Sequence, residues 1–112
     1  MHEMSYMINF INMAEKAAGE ADAITSVTVK IGALTGVLPE YLKKYFPEAA
    51  KNTRCEGADF NVIAIPAVVT CDGCGKNYQP GKDNNYCCPS CGSKDGKIIH
   101  GRELELSSVT VK

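Results

Sequence analysis

Two cysteine pairs carry the strongest chemical signal in this sequence. Cys71-Asp72-Gly73-Cys74-Gly75 and Cys88-Pro89-Ser90-Cys91-Gly92 are two copies of C-x-x-C-G, with thirteen residues between Cys74 and Cys88. Each knuckle turns two thiolates toward one point, and the glycine after the second cysteine can take positive φ at no steric cost. Four soft sulfur ligands in this arrangement suit a tetrahedral zinc ion with every position closed to water. Cys87 is an alternative to Cys88 as the third ligand. Cys88 is preferred because Pro89 then falls inside the second knuckle and the two motifs match. Cys55 and Cys87 are left over, and the ordinary reading of Cys55 is a small buried hydrophobe rather than a redox group.

A second candidate lies at the start of the chain, Met1-His2-Glu3. Methionine before a residue as large as His2 is expected to be retained. The Met1 amine, the His2 amide and the His2 imidazole then place three nitrogen donors close together. The Glu3 amide could complete a planar N4 set, with its carboxylate nearby as an axial or outer ligand. Such sets suit Ni(II) or Cu(II) rather than tetrahedral zinc. Copper is favoured by the Irving–Williams order, so nickel selectivity would have to come from supply or partner delivery. Protons must leave the amine and amide, so affinity should rise with pH. Taken alone, the ordinary reading of an N-terminal Met-His is a frayed end.

Catalytic patterns are missing. No Lys-Ser or Lys-Thr follows a glycine-rich turn, His2 and His100 are the only histidines, and neither G-x-S-x-G nor H-E-x-x-H occurs. The sequence therefore predicts a non-enzyme. Across 112 residues, 12 Lys+Arg oppose 13 Asp+Glu, so nothing electrostatic favours a general nucleic-acid or membrane-surface binder. A 45% hydrophobic content predicts a globular fold. The most apolar stretch, residues 62–70, is too short to span a bilayer and is interrupted by Pro66. The first residues lack a basic segment and a small-residue cleavage site, so the expected compartment is the cytoplasm, where six cysteines seldom mean three disulfides.

The elements that must position these groups follow from periodicity. Met4, Met7, Ile8, Ile11, Ala14 and Ala18 recur as one face of an amphipathic helix that should end near Ala21. Val27, Val29 and Ile31 alternate with Thr28 and Lys30 as a strand. Pro39 opens a second helix with Leu38, Leu42, Tyr45 and Phe46 as its apolar face, and Pro47 should kink or restart it. A second strand is expected over 58–65 and a third over 102–111. In the third, a bulge at Ser107–Ser108 would turn Leu104, Leu106, Val109 and Val111 to one face. Residues 67–100 hold too few apolar side chains for their own core, so zinc would have to supply their stability, on the order of 10–16 kcal/mol. The predicted architecture is α+β. Two helices pack on a small three-stranded sheet, and a four-cysteine zinc ribbon is inserted between strands two and three, which could pair across its base. The domains would be 1–66 with 101–112, and 67–100.

Read in order along the chain, the motifs resemble those of the HypA/HybF hydrogenase nickel-incorporation proteins. The resemblance rests on Met1-His2-Glu3-Met4-Ser5, Val29-Lys30-Ile31-Gly32, Gly36-Val37 with Pro39-Glu40, and Thr53 with Glu56-Gly57-Ala58. It continues through the paired knuckles, including Cys91-Gly92-Ser93, to Gly101-Arg102-Glu103-Leu104. It implies a nickel metallochaperone with structural zinc on Cys71, Cys74, Cys88 and Cys91, and Ni(II) cargo at Met1, His2 and Glu3. It also implies a HypB-type GTPase partner and the [NiFe]-hydrogenase large-subunit precursor as client, with urease maturation served by some members. The partner's GTPase would account for the missing phosphate loop. His100, where the ribbon rejoins the sheet, reads as a solvated loop residue, with a transient nickel contact as the alternative. The rival is a zinc-ribbon adaptor or nucleic-acid-binding module. Against it, Lys76, Lys82, Lys94 and Lys97 face Asp72, Asp83 and Asp95, and four thiolates on Zn²⁺ leave the ribbon at a charge of about −1.

Overall fold

A computed structural model describes residues 3–112 of the chain. Helix α1 (Glu3–Ala18) is followed by strand β1 (Ile24–Gly32), helix α2 (Pro39–Ala49) and strand β2 (Asp59–Ile65). A second group of short strands comes next, β3 (Val68–Cys71), β4 (Asn77–Tyr78) and β5 (Gly96–His100), and β6 (Leu104–Val111) returns to the first sheet. The strands form two three-stranded sheets, ordered β2-β1-β6 and β4-β3-β5. Among the described residues no helix is long and apolar enough to cross a membrane.

β1 is the axis of the first sheet. It runs parallel to β2, with α2 as the crossover that a parallel pair requires. It runs antiparallel to β6 on its other side. β2 and β6 therefore do not pair across the base of the insert, because β1 stands between them. Val27, Val29 and Ile31 point into the core as their alternation predicts. They meet Met7, Phe10, Ile11, Ala14 and Ala18 of α1, and Leu42 and Phe46 of α2. The Phe46 ring stacks on Phe60 of β2 with centroids 4.8 Å apart.

Several local expectations shift. Ile8 is half-exposed and Phe10 takes a core place, which rotates the buried face of α1 toward the sheet. α2 runs through Pro47 to Ala49 without restarting. In β6 the register slips between Thr28 opposite Ser108 and Val29 opposite Leu106, which makes Ser107 the extra residue of the expected bulge. Leu104, Leu106 and Val109 then pack on the core. Val111 does not: it lies opposite buried Ile24 at the last position of the strand and is exposed.

Arg54 fixes the end of α1, where the last carbonyls have no intrahelical donor. Its Nη2 donates to Glu15 O at 2.7 Å, and its Nη1 donates to Gly19 O and Ala21 O at 2.9 and 2.6 Å. Its Nε and its backbone N–H hold the Glu15 carboxylate at 2.6 and 2.8 Å. Gly19, at φ +58°, makes the turn possible. The Arg54 hydrogen bonds hold the Glu15 carboxyl below its ordinary range. The stability gained from that ionised carboxylate is fully present above the ordinary range and is lost as pH falls through the lowered value. Arg54→Ala should cost about 2–3 kcal/mol in denaturant unfolding. Glu15→Gln should cost less and should flatten the acid limb of the stability profile.

Candidate metal centre

The second sheet is small, and the residues buried in it and in the knuckle packed beside it are Val69, Cys71, Tyr78 and Cys88. Two of those four are knuckle cysteines. The Sγ atoms of Cys71, Cys74, Cys88 and Cys91 all lie within 4.8 Å of one another. Cys71 and Cys91 are 3.4 Å apart, and Cys74 and Cys88 are 3.6 Å apart. A tetrahedral thiolate site with metal–sulfur bonds near 2.3 Å has edges of roughly 3.8 Å, so the donor set fits such an ion. Among the described residues this is the one group of three or more His, Cys, Asp or Glu side chains whose ligand atoms converge.

The two knuckles are built alike. Gly75 N–H donates to Cys71 O at 2.9 Å, and Gly92 N–H donates to Cys88 O at 2.8 Å. Cys71 N–H donates to Lys76 O and Cys88 N–H to Ser93 O, both at 2.9 Å. Gly75 and Gly92 both sit at φ +77°, the conformation that their position after the second cysteine predicts. In each knuckle the first cysteine is buried and the second is exposed. Gly73 keeps the space between sulfurs open, since a Cβ there would lie 3.3 Å from Cys91 Sγ and 3.6 Å from Cys71 Sγ.

Knuckle amides favour thiolate on the buried pair. The Cys74 backbone N–H lowers the Cys71 thiol, and the Cys91 and Ser90 amides bring Cys88 down to about 6. The Ser93 amide favours the Cys91 thiolate as well. Hydrogen bonding with the neighbouring sulfurs and burial outweigh it, and Cys91 is pushed up to about 12. Tyr78 is raised by burial and by the nearby sulfurs.

Cys87 lies outside the cluster, its Sγ 3.2 Å from Asn85 O. Cys55 is fully buried in the main core, and that burial pushes its thiol up. His100 is not a loop residue. It ends β5 with its Nδ1 3.0 Å from Glu103 Oε2, and its imidazole is half-exposed. Of the residues expected at the N-terminal nickel site, Met1 and His2 lie outside the described residues. Glu3 begins α1 and is buried. Sequence reasoning named Glu103 only as part of a motif and gave no role to it or to Arg54. The His-x-x-Glu spacing of His100 and Glu103 was visible, whereas Arg54 reaches Glu15 from 39 residues away.

Residues 1–111 match the family described as "Hydrogenase/urease nickel incorporation, metallochaperone, hypA". The chain belongs to the HypA family. It is 42% identical over 114 residues to the hydrogenase maturation factor HypA of Chlorobium phaeobacteroides (strain BS1), covering 100% of both chains. It is 40% identical over 108 residues to the HypA of Chloroflexus aurantiacus (strain J-10-fl), covering 95% of each. The fold is that of HypA as well. The solution structure of the Ni metallochaperone HypA from Helicobacter pylori superposes with a TM-score of 0.70 at 24% identity, covering 99% of this chain and 97% of that one. A second HypA solution structure gives a TM-score of 0.74 at 24% identity, covering 100% and 97%.

The geometry separates the adjacent cysteines of the second knuckle. Metal analysis should find about one tightly held ion per chain in Cys87→Ser and a large loss in Cys88→Ser. The reverse pattern would exchange their roles.

Proposed function

We propose that this chain carries nickel for hydrogenase maturation. It would bind Ni(II) through Met1, His2 and Glu3 and hold a structural Zn²⁺ on Cys71, Cys74, Cys88 and Cys91. The observation that carries the reading is the family correspondence, which begins at residue 1 and so includes Met1-His2-Glu3. Division of labour between the two sites follows from their chemistry. A site closed by four thiolates exchanges its ion slowly and suits a structural role. A chelate built on the terminal amine, amide nitrogens and an imidazole can be taken apart ligand by ligand by a better donor set. Deprotonation of the amine and amide ties its affinity to pH.

On this reading the chain has two units, residues 1–66 with 101–112 and residues 67–100. The first unit bears the nickel site and the second the zinc. A HypB-type GTPase would supply the nucleotide step, and the [NiFe]-hydrogenase large-subunit precursor would receive the metal, with urease maturation as a further route. The chain would act as a carrier rather than an enzyme. Six free thiols suit the reducing cytoplasm as its place of work.

A nickel titration of the zinc-loaded protein tests the site. The native N-terminus is compared with a variant carrying one Gly before Met1, which keeps His2 and Glu3 but moves the terminal amine out of chelate range. The native form should bind one equivalent with planar Ni(II) absorption, and the extended form should lose it. Equal binding by both would place nickel elsewhere, and binding by neither would remove the carrier reading.

A further inference from the structure

No helix or strand of the first sheet packs extensively on an element of the second. The molecule is correspondingly long, with extents of 54 × 25 × 17 Å. The relative orientation of the two sheets must therefore be set where the chain crosses between them, outward at Pro66–Ala67 and back through residues 100–103.

That neck is held against the end of β1. Ala33 N–H donates to Ile65 O at 2.9 Å, Leu34 N–H to Gly101 O at 2.7 Å, and Gly32 N–H to Glu103 O at 2.7 Å. The backbones pass so closely that a Cβ on Gly32 would collide with the Gly101 carbonyl. Gly101 itself sits at φ +118°, and a Cβ there would lie 2.9 Å from Ala67 Cα. The returning strand must make a tight turn at Gly101, and one side chain closes that turn. Glu103 Oε1 accepts from Gly101 N–H at 2.7 Å, and Oε2 meets His100 Nδ1 at 3.0 Å. One carboxylate thus joins the last residue of β5 to the residue just before β6, around the carbonyl that docks on Leu34.

We propose that the Glu103 carboxylate is the latch that holds the four-cysteine sheet at one fixed angle to the three-stranded sheet. The latch stands on neck geometry alone and does not depend on where nickel binds. It would keep the cysteine centre in constant relation to α1, whose Tyr6 and Phe10 share a cleft with Leu104, the residue immediately after the latch. Glu103 acts here as a positioning residue, since it lies outside the sulfur cluster.

The test uses the zinc-loaded full chain, with backbone ¹⁵N relaxation to report how each sheet tumbles and amide exchange at Gly101 and Leu34. In the parent chain both sheets should tumble as one elongated body. In Glu103→Ala they should acquire separate correlation times, with exchange at the two amides about tenfold faster and zinc retained. Glu103→Gln should restore the parent behaviour, because its side-chain oxygen accepts from Gly101 N–H and its NH₂ can donate to an unprotonated Nδ1. Should Glu103→Ala fail to fold, His100→Ala serves instead. It keeps the Gly101 bond and should give a smaller rise in exchange than tenfold. Separate tumbling in the parent chain, or unchanged tumbling and exchange in the variant that folds, would overturn the proposal.

Discussion

Convergence of four sulfurs is the constraint on which the distal part of the molecule, residues 67–100, depends. Between Ala67 and His100 the chain buries only Val69, Cys71, Tyr78 and Cys88. Such a cluster cannot offset the backbone entropy lost in ordering more than thirty residues, at about 1–2 kcal/mol each. The knuckles are nonetheless sharply defined, with matching hydrogen bonds and matching glycine conformations. Geometry of that kind without an apolar core is what a metal-organised module looks like.

The larger remainder is stabilised differently. β1 is buried between two neighbours and against α1, and α1, α2 and all three strands of the first sheet contribute side chains to one core. Because β2 and β6 flank β1 from opposite sides, the insert leaves from one edge strand and returns to the other. Both chain crossings are then gathered at the end of β1, where Gly32, Ala33 and Leu34 receive them. Glycine at positions 32 and 101 is a steric requirement of that close approach. The unit with the large core thus holds the cysteine sheet through a junction whose backbones pass in close contact at Gly32 and Gly101.

Much of this was legible in the sequence because local pattern and global role agreed. The two helices, the three long strands, the bulge at Ser107–Ser108 and the convergence of the paired knuckles were readable from periodicity, spacing and turn residues. The misses have physical causes. Ile8 falls in the expected α1 stripe and Phe10 beside it, and only the docking angle against the sheet decides that Phe10 is the one buried. β3, β4 and β5 are two to five residues long, so although they carry Val, Thr, Tyr and Ile, none is long enough to show an alternating pattern in the sequence. Strand order was not legible, because pairing of β2 with β6 and insertion of β1 between them leave the same local pattern. The Arg54–Glu15 clamp joins residues 39 apart, beyond the reach of any short motif.

The central claim is that a metal on the cysteine cluster orders one part of the chain while the other stands on its own core. Residue-resolved amide exchange of the metal-loaded chain, repeated after chelation, tests it most directly. Protection should collapse across residues 67–100 and persist in β1, α2 and the buried face of α1. Unchanged protection across 67–100 after verified metal removal would contradict the account, as would a uniform loss over the whole chain.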